Sequence, residues 1–120
     1  MATWADVVDI GRSLPAVEES TSYRTPALKV AGKLIARHRT ESDGGLMVVC
    51  GLDEKAALLE EGNAFYTTPH YDGYGAILVR LAEVDLDQLT ELLQDAWRIK
   101  ASAQLRKQAD RPRSPSPRRS

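Results

Sequence analysis

The stretch from Tyr23 to Cys50 constrains this 120-residue chain more than any other. Pro26 favours extended backbone in the residue before it. In Ala27–Ala31, Leu28 and Val30 fall on one face of a strand and Lys29 on the other. Ala31-Gly32 is a turn signal, and a second strand runs from Lys33 to about Thr40. Glu41–Gly45 has the acid, serine and glycine content of a hairpin loop. Leu46–Cys50 is a continuous apolar run, short enough for a central strand covered on both faces. Three strands in succession make an antiparallel meander, and a meander needs an apolar cover.

The flanks supply that cover. Thr3 caps a helix carrying Trp4, Val7, Val8, Gly11 and Leu14 at helical spacing, and Pro15 stops it. Ala16–Ser22 reads as a connection. After the meander, Asp53 opens a helix with a packing face of Ala56, Leu58 and Leu59 and a staple from Leu52 to Ala57, ended by Gly62-Asn63. Phe65-Tyr66 is a brief strand, Thr67–Gly75 a loop, and Ala76–Ala82 a strand interrupted by Arg80. Asp85 and Gln88 form a capping-box pattern ahead of a long helix whose apolar face is Leu86, Leu89, Leu92, Leu93, Ala96 and Trp97. Trp4 and Trp97 are expected to pack together. The expected fold is α+β in the order α-β-β-β-α-β-β-α, an antiparallel sheet of about five strands with helices on one face. One domain spans residues 1–109. Residues 110–120 consist of Arg, Ser and Pro apart from Asp110, a basic tail expected to be disordered.

Charge divides along the same boundary. The tail carries +3 and the rest of the chain −4, within an overall −1. A net-negative body attracts a polyanion only where its cations gather on one face. Cys50 is the single cysteine, which excludes an internal disulfide and any cysteine-cluster zinc site; it reads as a buried, inert thiol. The acidic N-terminal stretch lacks the form of a secretory leader, and no apolar run approaches a membrane span, so the expectation is a cytoplasmic protein without a membrane partner. There is no glycine-rich phosphate loop, no metal-ligand spacing and no nucleophile elbow, and the reading is a non-enzyme without cofactor or metal.

Two stretches are candidates for binding. Arg24, Lys29, Lys33, Arg37 and Arg39 occur with no acid between Glu19 and Glu41. Lys29, Lys33, Arg37 and Arg39 are placed by alternation on the outer face of a two-stranded ribbon, where they can track phosphates or lie solvated beside nearby acids. His38 is then directed inward with Leu34 and Ala36. The second candidate is the Thr67–Tyr74 loop, where His70, Tyr71 and Tyr74 suit a small-ligand or protein contact, or pad the edge of the core. Asp6, Asp9, Glu18 and Glu19 are read as helix-dipole partners before a metal ridge.

Four segments in series resemble the MmcQ/YjbR-like family. They are TPALKV with GKLIARHR, LMVVCGLDEKAALL, FYTTPHYDGYGAILVRL and DLDQLTELLQDAWR, covering roughly residues 4–100. The resemblance implies a small α+β domain with a frataxin-like (CyaY-like) or double-wing arrangement. It also implies DNA binding, a label that rests on analogy of fold, and it supplies no catalytic residues. Gly75 stands where the family pattern has a residue such as proline, and the basic tail lies outside the common domain. The leading expectation is a DNA-binding module contacting phosphates through Arg24, Lys29, Lys33, Arg37 and Arg39 with help from the tail. The alternative is a small-ligand or protein-interaction domain using His70, Tyr71 and Tyr74, with no nucleic-acid partner.

Overall fold

The computed structural model describes residues 2–22, 24–39, 45–69 and 71–110. The elements in chain order are α1 (Trp4–Arg12), β1 (Val17–Ser22), β2 (Thr25–Val30), β3 (Lys33–His38), β4 (Leu46–Val49), α2 (Leu52–Glu61), β5 (Phe65–Tyr66), β6 (Ala76–Val79), α3 (Leu86–Lys100) and α4 (Ala103–Asp110). One antiparallel sheet of six strands has the order β1-β2-β3-β4-β6-β5.

The α+β fold and the meander stand as read from the sequence, with one strand more. Val17–Ser22 is an edge strand rather than a connection, paired with β2 from Val17↔Val30 to Ser22↔Thr25. Its sequence, VEESTS, buries no side chain fully, so main-chain pairing holds it and hydrophobic alternation does not mark it. The tight turn after β2 uses Ala31 and Gly32, both at positive φ, as a two-residue hairpin turn requires. The expected Glu41–Gly45 loop falls mostly outside the described residues, as does the basic tail from residue 111. Regular structure runs up to that tail in α4.

Each face of the sheet has its own cover. The row Leu28–Ala36–Val48–Ile77, in register across four strands, is fully buried against a core that includes Val7 of α1 and Leu89, Leu92, Leu93, Ala96 and Trp97 of α3. Burying a side chain of this size contributes about 1.5–3 kcal/mol, so this layer is the main source of stability. Thr3 caps α1 in a full capping box with Asp6, so the first-helix acid acts on the helix itself. Trp4 and Trp97 both join this core in separate contacts: Trp4 stacks on His38 at 5.3 Å, and the Trp97 indole donates to the Pro15 carbonyl at 2.8 Å.

Three sequence details are corrected. Asp85 occupies the cap of α3, but its side chain makes no cap bond, and Gln88 donates instead to Glu61 across the gap to α2. Leu52 is exposed, as is Ala57, so no staple forms at α2. The inward face of that helix carries Lys55, Leu58 and Leu59, while Ala56 faces solvent.

Candidate functional site

The opposite face of the sheet presents a second in-register row: Ala27 of β2, Arg37 of β3, Met47 of β4, Leu78 of β6 and Tyr66 of β5. A bulge decides which cations join it. Leu28 pairs with Ala36 and Lys29 with Leu34, which leaves Ile35 as an extra residue in β3. Ile35 and Ala36 therefore both enter the helix-side core, and alternation reverses between Leu34 and Arg37. Leu34 packs on the loop side, against Met47, Ala76 and Leu78. Lys33 pairs with Val30, a residue of the helix-side core. So Lys33 does not share a face with Arg37 and Arg39, contrary to strict alternation.

Arg37 and Arg39 lie on the expected face, but they are covered: 5% and 7% exposed. The cover is Tyr71, from the loop between β5 and β6. Arg37 donates to the Tyr71 hydroxyl at 3.1 Å and to Thr25 Oγ1 at 3.3 Å, and Thr25 Oγ1 in turn donates to the Ser22 carbonyl at 2.7 Å. The Arg39 guanidinium lies over the Tyr71 ring, 5.4 Å from its centroid. A third cation arrives from behind. Lys55 of α2 is 5% exposed, and its ammonium donates to the Tyr71 carbonyl and, at 2.9 Å, to the Tyr74 carbonyl. Tyr71 thus meets three buried cations with its hydroxyl, its ring and its main chain. Neither Lys55 nor Thr25 was singled out from the sequence. The mark Lys55 leaves is its place three and four residues before Leu58 and Leu59, in the packing phase of the helix.

Beside Tyr71 a cleft of about 360 Å³ opens between sheet and loop, lined by Leu34, Arg37, Met47, Val49, Tyr71, Tyr74, Gly75 and Ala76. Its floor is aliphatic, and Tyr74, an exposed ring set edge-on to Tyr71 at 6.2 Å, stands at its mouth. Among the described residues Arg37 is the one charged residue in the lining.

The remaining candidates do not join this group. Arg24 and Lys33 are exposed and Lys29 is half-buried. Arg24 precedes β2 and Lys33 lies beside its far end, so a six-residue strand separates them by roughly 20 Å. His70 lies outside the described residues. Glu19 forms an exposed ion pair with Arg12 at 3.5 Å, and among the described residues no group of three or more His, Cys, Asp or Glu is placed to hold a metal ion. Cys50 is buried, and its thiol is pushed up to about 11 by desolvation and by the nearby Glu54, with Lys55 opposing. A thiol so held is protonated at neutral pH and a poor nucleophile, as the sequence reading expected.

Residues 12–99 match the YjbR family. The chain belongs to the YjbR family. Among its relatives are the uncharacterized protein Rv2570 of Mycobacterium tuberculosis and the uncharacterized protein Mb2600 of Mycobacterium bovis. Each is 33% identical over 120 residues, covering 88% of this chain and 93% of the relative. No solved structure matches the chain. The YjbR match includes the β2–β3 ribbon, α2 and the tyrosine loop, so every element of the cleft lies within the family domain. Among the described residues no helix of this YjbR domain is long and apolar enough to cross a membrane.

Proposed function

We propose that this YjbR domain is a binding module for a small molecule, held in the cleft between the outer sheet face and the Thr67–Gly75 loop. The observation that carries this reading is the lining: an aliphatic floor of Leu34, Met47, Val49 and Ala76, with Arg37 and Tyr71 converging on it. That is the composition of a ligand pocket, and about 360 Å³ lies at the small end of the usual ~300–1,000 Å³. The fold spends unusual means on keeping this place in shape, with a buried lysine binding two carbonyls of the loop.

The DNA reading draws less support from the same geometry. Five phosphate contacts give a log–log salt slope of about −4.5. With Arg37 and Arg39 under Tyr71, the ribbon offers Arg24, Lys29 and Lys33, and a slope of about −2.7. The exposure of Arg24 and Lys33 favours this weaker contact as a second reading.

A fragment library of neutral, anionic and cationic aromatics, screened by amide chemical-shift mapping on the full chain, tests the proposal. The expected hits move Leu34, Arg37, Met47, Val49 and Ala76 together. Hits scattered over the surface, or none, refute it.

A further inference from the structure

We infer that the C-terminal arm of this chain, residues 100–120, is a contact surface for the phosphate backbone of a nucleic acid, separate from the cleft. The YjbR match ends at residue 99, and the charge reverses at the same place. Beyond it stand seven cations, Lys100, Arg106, Lys107, Arg111, Arg113, Arg118 and Arg119, against Asp110 alone, a net +6 in 21 residues. Residues 1–99 hold nine cations against sixteen acids, a net −7. A net-negative chain attracts a polyanion only where its cations are segregated, and here the segregation lies outside the family domain.

The first part of the arm is built onto the body. Ser102 caps α4, its hydroxyl accepting from the Leu105 amide at 3.2 Å, and Leu105 packs against the helix-side core. Arg106 donates to the Arg98 carbonyl at 3.1 Å, which ties α4 to the end of α3. Lys107 is exposed and Lys100 half-buried, and none of Lys100, Arg106 and Lys107 forms an ion pair with a described residue. The negative C-terminal ends of α3 and α4 account for a cation in each last turn. They do not account for the four arginines of residues 111–120, which follow α4 in the sequence and lie outside the described residues.

The composition of the arm selects among anionic partners. It has no aromatic residue, and apart from alanine and proline its one apolar side chain is Leu105, which the core already uses. A protein partner calls for an apolar, aromatic-rich centre of contact, stacked bases call for rings, and a bilayer calls for an apolar anchor. What the arm offers is charge alone, and a regular line of phosphates is the partner that charge alone holds. An anionic bilayer also brings a broad surface up to the −7 body, whereas a narrow strand can follow the arm with the body beyond the screening length of about 10 Å. The contact is independent of base sequence.

Fluorescence anisotropy of a labelled duplex, titrated with the full-length chain between about 50 and 200 mM salt, tests this. Seven phosphate contacts predict a log–log slope of about −6, a loss of several thousandfold in affinity across that range. Lys107→Gln, with Arg111, Arg113, Arg118 and Arg119 each changed to Gln, leaves two contacts, a slope of about −2 and a loss of roughly tenfold. Arg24→Gln with Lys33→Gln keeps the wild-type slope, which separates the arm from the ribbon. Three results overturn the inference: no binding at the lowest salt, a slope that the arm variant retains, or a slope that the ribbon variant loses. Tighter binding of phosphatidylserine vesicles than of the duplex, at equal salt and equal phosphate, also overturns it, in favour of a membrane surface. None of these outcomes bears on the cleft, which the fragment map judges separately.

Discussion

Tyr71 shows how one side chain can organise several charges. Its ring lies under the Arg39 guanidinium and its hydroxyl accepts from Arg37, two groups that the sequence presents as surface cations, and its carbonyl receives the ammonium of a third. A residue of the opposite kind sits nearby. The Glu54 carboxyl is held above its ordinary value of 4.5, first by burial, then by its hydrogen bond with Asp95 and by the charge of Asp95. The folded chain therefore keeps a proton that the unfolded chain has already released. Stability falls as pH rises from 4.5 through the raised value, and is level above it. Glu54→Gln removes that loss while keeping a partner for Asp95. Urea titrations of both forms across this range are expected to show the variant gaining on the wild type as pH rises. A constant difference at every pH would rule out the assigned cause.

The elements divide into those that periodicity announces and those that it does not. Leu28 and Val30 and the α3 stripe were legible because one side of each is buried and burial imposes a period, and the run Leu46–Val49 because both its sides are buried and the run is unbroken. Three features left no such trace. β1 is a polar edge strand held by its main chain. The bulge at Ile35 adds one residue to β3, and one residue is enough to move Leu34 and Lys33 to the faces opposite those that alternation assigns them. Lys55 is a charge in an apolar phase, explained by two carbonyls 16 and 19 residues away in the chain. Its role belongs to the loop as an element. Lys55→Met preserves the buried stem and deletes the donor, leaving two carbonyls without it. The expected cost is about 1–3 kcal/mol of stability, with faster hydrogen exchange at amides 71–76 than elsewhere in the domain. A variant of native stability and unchanged loop exchange would show that the strap holds nothing.

At the scale of the whole molecule the sheet is a partition. Helices α1 and α3 close one face with the apolar mass that makes the domain fold, and the tyrosine loop closes part of the other and leaves a cleft. The candidate site was half visible from sequence: Arg37, Arg39, Tyr71 and Tyr74 were all marked, but in two rival groups. What joins them is a long-range contact across 34 residues between Arg37 and Tyr71, which no local pattern encodes. That contact turns an expected open ribbon into the wall of a pocket, and it is the reason for preferring a small ligand over a phosphate backbone. The most direct measurement is a pair of titrations of the isotope-labelled full-length chain, one with the aromatic fragment library and one with duplex DNA, followed by amide chemical shifts at low salt. The cleft account predicts that fragment hits move Leu34, Arg37, Met47, Val49, Tyr71 and Ala76, and that DNA leaves these amides in place. Movement of β2 and β3 through Arg37 and Arg39 with DNA, and none with any fragment, would contradict it.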